Sequence, residues 1–433
     1  MTDARATTPT TTYRESPAWA RDAARRVMAR CDALARVSAR PDGIERVHLS
    51  PEHARANDLV ANWMCDAGMR SWQDTAGNQR GRVDPVPAST PAQLRPPALL
   101  LGSHIDTVVD AGRYDGMLGV LMAVEVAAAL REDVGRLPFA LEVVAFSDEE
   151  GTRFGKALLG SSALAGLWDD AWWDLADADG VTLREAFVRF GLDPARVQEA
   201  AHRPGELVGY LEAHIEQGPL LEADDRPLGV VTSIAGARRF VVEVVGEARH
   251  AGGTPYPMRR DALLGAAEIT VAVERVCRAG GQIGTVGRLA TWPGAVNVVP
   301  GRAELTVDLR AADDAARDAA WDDICAVADE VADRRGLTWT ATEVHRAPSV
   351  LCAPRLRTAL ADGILATGEP DAPELFSRAG HDAMAVAALT DVGMLFLRNP
   401  GGVSHAPDES VAIEDVAQGL VALVSTVRAL GGL

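Results

Sequence analysis

Short apolar runs alternate with longer stretches of helical periodicity along most of the chain. "PALLLGSH" (97–104) leads to a helical apolar stretch over 117–130, "FALEVVAF" (139–146) to a loop rich in Gly and Ser, and "ELVGYLEAHIEQGP" (206–219) to a Pro-bounded turn. Runs of this length, bounded by turn residues, read as buried strands, and their alternation with helices predicts an α/β domain with a largely parallel sheet. Near the start, Ser16-Pro17 is a cap followed by an N1 proline, which opens a helix running to Ala35, and a second helix fits 52–65.

From about Leu228 the texture changes. "RRFVVEVVG", "GTVGRLAT", "AELTVDLR" and "LTWTATEV" read as strands, with helical patterns over 259–278 and 312–334 between them. Strand, helix, strand, strand, helix, strand makes a compact four-stranded, two-helix α+β layer with its helices on one face. In "AELTVDLR" the apolar Leu305, Val307 and Leu309 alternate with polar residues, so Arg310 lies on the polar face. After about Arg346 the α/β texture returns, with "GMLFLR" as a strand and a closing helix over 411–430. The expected organisation is a catalytic domain from 1–227 and 346–433, with 1–16 a disordered tail, interrupted by an inserted lid over 228–345. "AADDAARDAAWDD" reads as a solvated helix face, and Trp168, Trp172 and Trp173 as packing or a loop anchor.

Composition narrows the function. With 433 residues and 47% hydrophobic content the chain can bury more than one core. The balance of 43 basic against 61 acidic residues gives a net charge of −18, which repels polyanions and excludes nucleic acid or an anionic membrane as the main partner. An anionic small substrate would then need a local arginine. The five cysteines (Cys31, Cys65, Cys277, Cys325, Cys352) are odd in number and scattered, which predicts buried, reduced thiols in a cytoplasmic protein. The Thr-rich N-terminus lacks an apolar signal core, and the longest apolar segment carries Glu125 and is too short to span a bilayer.

Candidate chemistry gathers at predicted strand ends. "GSHIDTVVDAGRYDG" puts His104 at the end of one strand, Asp106 two residues on, and Asp115 before a helix. The Asp106 carboxylate can take one imidazole N–H of His104 and leave the other nitrogen for a metal. "LEAHIEQGP" repeats the arrangement with His214, Glu216 and Gln217; "FSDEEGTRF" supplies Glu149 and Glu150; "RNPGGVSHAPDES" supplies His405. In an open α/β sheet ligands collect outside the carboxyl ends of the strands. Mixed imidazole and carboxylate donors without cysteine suit zinc, manganese or cobalt, and six such groups would serve two ions about 3.5–4 Å apart sharing a carboxylate. Asp148, the first of three consecutive acids, is expected at a solvated turn.

The ordered string "GSHIDT…YDG…DEEGTRF…HIEQGP…HAGGTP…RRDA…PGAVNVVPG…DLR…AGHDA…SHAPDE" resembles the di-metal amidase branch of the aminoacylase/carboxypeptidase G superfamily, which contains allantoate amidohydrolase, N-carbamoyl-L-amino-acid hydrolase and β-ureidopropionase. The resemblance covers nearly everything after the tail. It implies a di-metal peptidase-like catalytic domain with a mixed, mostly parallel sheet, and two divalent ions (zinc or manganese, cobalt also) per subunit. His104 and His214 would hold one ion, Glu150 and His405 the other, with Asp115 bridging. Glu149 would be the general base and acid, and Asp106 the partner of His104. His250 would stabilise the oxyanion, while Gln217, Asn297 and Arg310 hold the substrate, Arg310 at its carboxylate. The lid would form a homodimer, and His250 and Asn297 could complete the neighbouring subunit's site. The implied reaction is hydrolysis of a ureido C–N bond in a small carboxylate: allantoate to ureidoglycolate or its amino precursor, with ammonia and carbon dioxide. An N-carbamoyl-L-amino acid is the alternative substrate, and a non-catalytic binding protein on the same fold the alternative class. Gly253, Tyr256 and Arg378 depart from the usual pattern, which puts the substrate rather than the activity in question.

Overall fold

The computed structural model describes residues 16–87 and 95–433, so the expected tail, but for Ser16, lies outside the described residues. The chain divides into two compact units: Met1–Thr232 with Cys352–Leu375 and His381–Leu433, and Ser233–Leu351 with Phe376–Gly380. The divisions fall at 232/233 and 351/352 rather than at 227/228 and 345/346. The reason is pairing: Leu228–Ile234 begins as a strand antiparallel to Val392–Leu397, which holds its first residues in the first unit. The short Phe376–Gly380 contribution gives no signal in the apolar pattern.

The first unit is built on a mixed sheet in the order Arg70–Gln73, Gln79–Val83, Ala140–Phe146, Ala98–His104, Leu207–Ile215, Val392–Leu397, Leu228–Ile234. The middle four strands are parallel to one another, and the flanking pairs are antiparallel. The parallel strands Ala98–His104, Ala140–Phe146 and Val392–Leu397 are buried at every residue, as an apolar run covered on both faces must be. Helices Ala18–Ala35, Met117–Ala129 and Ile413–Leu430 contribute to one large core with these strands. Pro17 stands at the N-cap of the first helix rather than at N1, and no side chain caps it. Glu125, the charge inside the apolar helix, is buried and takes Arg26 and Arg30, each at 2.7 Å.

Arg46 is fully buried and donates to the backbone carbonyls of Leu34 and Val37, at and just past the end of the first helix, and of Ile105, just past the His104 strand, with Nη2 on Met117 Sδ. Burial lowers its pKa to about 10, which leaves it charged at neutral pH. It fixes the backbone that follows His104. Three cysteines are buried and Cys325 half-buried, but Cys65 is exposed, because it lies on the outer side of helix Pro51–Asp66; all five are free thiols.

The loop expected after Phe146 holds structure of its own. Thr182 and Glu185 form a complete capping box at helix Leu183–Phe190, which ends on Gly191 in the left-handed region. Phe187 of that helix packs edge-on against Trp168 and Trp173.

The second unit is a four-stranded antiparallel sheet ordered Thr338–Ala347, Gly236–Val245, Arg302–Ala311, Ile283–Trp292. Helices Ala262–Gly280 and Asp314–Arg335 share its core with Phe240, Val242, Leu305 and Val307. The acidic helix is solvated on one side only. Arg317, Ala320, Trp321 and Ile324 are buried on the other, and the Trp321 ring stacks on Phe240 with centroids 3.6 Å apart. Along Arg302–Ala311 the burial alternates strictly, which leaves Asp308 and Arg310 on the open face. Removing the stacked ring leaves a large cavity, so Trp321→Ala should cost about 3–5 kcal/mol in urea unfolding followed by circular dichroism; a cost below about 1 kcal/mol would show that the stack is dispensable.

Candidate active site

Four parallel neighbours in the first unit end at one edge of the sheet. His104 is the last residue of Ala98–His104 and His214 lies at the end of Leu207–Ile215; Glu149 and Glu150 follow Ala140–Phe146, and His405 sits in the loop after Val392–Leu397. Asp115 comes from the turn before helix Met117–Ala129. That turn packs tightly on the imidazole: a Cβ at Gly116, whose φ is +70°, would stand 2.4 Å from the His104 ring.

The Asp115 carboxylate divides the site. Its Oδ1 lies 3.4 Å from His104 Nε2 and 3.2 Å from His214 Nε2, and its Oδ2 lies 3.2 Å from His405 Nε2, which is 3.4 Å from Glu150 Oε1. His104, Asp115 and His214 form one donor group, and Asp115, Glu150 and His405 a second; within each the donor atoms are within 4.8 Å of one another. Nδ1 of His104 faces the Asp106 carbonyl at 3.1 Å and Nδ1 of His214 faces the Ile215 carbonyl at 2.9 Å, so each Nδ1 carries the proton and each Nε2 is turned to the centre. His214 Nε2, though 3.2 Å from Asp115 Oδ1, is buried and makes no hydrogen bond. Buried imidazole nitrogens with carboxylate oxygens converging on the same points are the donor set a divalent cation completes.

The expected role of the Asp106 carboxylate on His104 passes largely to the Asp106 carbonyl. The carboxylate, 3.5 Å from His104 Nδ1, accepts instead from the backbone N–H groups of Glu149 at 2.9 Å and Glu150 at 3.1 Å. One buried acid thereby sets the position of both glutamates. It also turns the acidic run inward, so that Asp148 is buried rather than in a solvated turn, with its carboxyl pushed well above the usual range by burial and by Asp106.

Burial pushes the Glu149 carboxyl well up, with Glu150 and Asp382 adding to the rise against His104. Glu150 is raised to about 7, again mainly by burial. Burial opposes the protonated form of His104, but the Asp106 and Asp115 carboxylates more than offset it and hold that group well above its ordinary value. His405, hydrogen-bonded to Asp115, is raised to about 9, and three imidazoles outweigh burial to hold Asp115 well below the carboxylate range.

Gln217 donates from Nε2 to Asp115 Oδ2 at 2.8 Å, while its own Oε1 is buried and unpartnered. Gln217 and His405 both hold positive φ, 54° and 56°, a conformation that persists in such residues only where surroundings impose it. Asn399 imposes part of it, taking the Gln217 backbone N–H at 3.0 Å. His381 packs its ring against His214 at 4.5 Å, and Asp382 caps helix Ala383–Val386 by position only; the helix's first N–H goes to Glu212.

Two residues escaped the sequence reading. Ser404 Oγ lies 2.6 Å from Asp115 Oδ2 and 3.0 Å from Glu409 Oε2, with one proton to give to either, and Glu409 accepts from the backbone N–H of Tyr114 at 2.7 Å and that of Asp115 at 3.1 Å. Both flank His405 in "SHAPDES", and that proximity was the available signal.

His250, Asn297 and Arg310 lie in the second unit. His250 stands on a two-stranded ribbon, paired with Val298, and is exposed. Its Nδ1 accepts from the Gly253 N–H at 3.0 Å, which puts the ring proton on Nε2. Asn297 is exposed beside it, its carbonyl accepting from Ala251 N–H at 2.9 Å. Arg310 is one third exposed and pairs with Asp308, Nε to Oδ1 at 3.0 Å.

The model of Peptidase family M20/M25/M40 matches residues 100–429. Allantoate deiminase of Arabidopsis thaliana is 41% identical over 407 residues, 87% of this chain and 76% of that protein. N-carbamoyl-L-amino acid amidohydrolase of Geobacillus stearothermophilus is 40% identical over 378 residues, 87% of this chain and 90% of its own length. The crystal structure of an amidase of the hydantoinase/carbamoylase family from Burkholderia multivorans superposes with a TM-score of 0.84 at 30% identity, covering 94% of this chain and 98% of that one. The chain is therefore a member of peptidase family M20/M25/M40, in the branch that holds the allantoate and N-carbamoyl-L-amino-acid amidohydrolases.

Proposed function

We propose that the protein hydrolyses a ureido C–N bond in a small carboxylate, with allantoate as the leading substrate and N-carbamoyl-L-amino acids as the second. The observation that carries the reading is the Asp115 carboxylate, which offers one oxygen to His104 and His214 and the other to His405 beside Glu150. Such a donor set would hold two divalent ions, zinc, manganese or cobalt, through His104, Asp115 and His214 on one side and Asp115, Glu150 and His405 on the other. Bound there, they would supply Lewis-acid polarisation of the ureido carbonyl and a lowered pKa for the attacking water. The Arabidopsis thaliana allantoate deiminase and the Geobacillus stearothermophilus N-carbamoyl-L-amino acid amidohydrolase differ by one percentage point of identity to this chain, so allantoate rests on the similarity of "AGRYDG" and "GMLFLRNPGGVSHAPDES" to its subgroup.

Glu149 takes the proton of the attacking water as its oxygen joins the ureido carbon, then gives that proton to the nitrogen as the C–N bond breaks. A carboxyl whose proton affinity is raised by burial suits both halves of the task. His250, protonated on Nε2, donates to the developing oxyanion, and Arg310 receives the substrate carboxylate in a bidentate pair. Asp106 acts through others, by holding the Glu149 and Glu150 backbone. Gln217 is fixed by Asp115 and Asn399 so that its unpartnered Oε1 is available to a substrate N–H. The second unit serves as lid and homodimer interface, a reading supported by the large apolar side chains it exposes, among them Val271, Trp292, Val296 and Val344. The proposed reaction would place the protein in purine catabolism, in the cytoplasm; no described helix is long and apolar enough to cross a membrane.

Ammonia release by manganese-loaded protein from allantoate, N-carbamoyl amino acids, 3-ureidopropionate and a dipeptide tests the substrate. Allantoate should be turned over with the highest kcat/KM; release from N-carbamoyl amino acids alone would replace it. Glu149→Gln should lower kcat about 10²–10⁴-fold with metal content unchanged, and near-full turnover would remove Glu149 from its role. With Glu150 raised to about 7 and His405 to about 9, both bind protons at neutral pH that a metal must displace. Metal uptake should therefore release protons and weaken as the pH falls below 7; a calorimetric enthalpy at pH 7 independent of the buffer's ionisation enthalpy would contradict this.

A further inference from the structure

The open face of the second unit's sheet holds a pocket of about 650 Å³ lined by Arg239, Arg310, Arg378 and Asp308 together with Thr285 and Thr306. The lining thus holds three arginines and one carboxylate. Asp308 is shared: Arg239 Nε donates to its Oδ2 at 2.9 Å and Arg310 Nε to its Oδ1 at 3.0 Å. Arg310 also donates from Nη1 to the backbone carbonyl of Arg378 at 3.0 Å, which ties the Phe376–Gly380 segment to the strand carrying Arg310. The Arg378 guanidinium itself is exposed, lies 5.7 Å from the Phe376 ring centroid, and has no carboxylate within ion-pair distance among the described residues. Two of the three cations are thus committed to Asp308, and the third is anchored at the pocket wall without an anion.

We infer that Arg378 is a specificity-determining residue that receives a second acceptor group of the same substrate whose carboxylate binds Arg310. The inference rests on the proposed function for the carboxylate on Arg310, and it adds what the rest of the substrate carries. A guanidinium presents a planar fork of N–H donors, and a carboxylate or a ureido carbonyl each satisfies it. A ligand with one polar arm leaves that fork unmatched. The pocket therefore favours ureido acids with two arms, a carboxylate plus a second ureido group as in allantoate or plus a second carboxylate as in N-carbamoyl-L-aspartate, over N-carbamoyl derivatives of plain amino acids such as glycine. A site built to hydrogen-bond a substrate group discriminates against analogues that lack it.

The test compares the intact metal-loaded protein with Arg378→Ala and Arg378→Lys on allantoate, N-carbamoyl-L-aspartate and N-carbamoylglycine. For Arg378→Ala the ratio of kcat/KM on the two-armed substrates to that on N-carbamoylglycine should fall about tenfold or more, the scale of one charge-assisted hydrogen bond. The loss should sit in KM more than in kcat, and Arg378→Lys should recover part of it. A larger fall on N-carbamoyl-L-aspartate than on allantoate identifies the second arm as a carboxylate, and the reverse identifies it as a ureido group. An unchanged ratio overturns the inference. If the wild-type protein releases ammonia from none of the three, the proposed function has failed, and calorimetric binding of succinate against acetate reads Arg378 separately. A tenfold loss of succinate affinity in Arg378→Ala then supports a two-guanidinium pocket, and equal affinities rule it out.

Discussion

Everything in the candidate site turns on one buried carboxylate. Asp115 stands among three imidazoles, and each of its oxygens faces a different donor group. A carboxylate in that position is costly unless its lone pairs are matched. Gln217 and Ser404 match one oxygen directly, and Glu409 holds the Tyr114 and Asp115 backbone. The Asp115 turn, the His214 strand and the His405 loop are distant in sequence, so the carboxylate is satisfied only when the sheet has brought all three to one edge. The same polar network that prepares the site also locks the topology.

A second buried acid repeats the device. Asp106 accepts from two consecutive backbone amides and so sets the positions of two adjacent glutamates. Glu150 reaches the His405 side of the centre, while Glu149 groups with His104 and Glu150, its proton affinity raised by burial. Positioning by backbone amide leaves both side chains available for chemistry, which direct side-chain hydrogen bonds would not.

Local signals were strong wherever burial was uniform. The fully buried, largely apolar strands Ala98–His104 and Ala140–Phe146 and the strict alternation of Arg302–Ala311 read directly from period and composition. The helix Leu183–Phe190 had its capping box written in Thr182 and Glu185, yet it is short and set between Gly180 and Gly191, which read as loop. Asp148 misled because three acids in a row ordinarily face water, and only the pull of Asp106 on the next two amides explains its burial. The compact units divide at 232/233 rather than 227/228 for a related reason: a strand's sheet is decided by its partner, here Val392–Leu397, which lies far along the chain.

By itself the sequence determined which residue types stand at the strand ends and in what order, and so the donor chemistry of His104, Asp115, Glu149, Glu150, His214 and His405. Those choices are local, set by the position of each residue relative to an apolar run. Only the tertiary structure decided how the two Asp115 oxygens are apportioned, that Ser404 and Glu409 brace that carboxylate, and that Arg378 stands uncommitted beside Arg310. These are contacts between segments whose separation along the chain carries no periodic trace, and a hydrogen bond between them exists only once the sheet has fixed both ends.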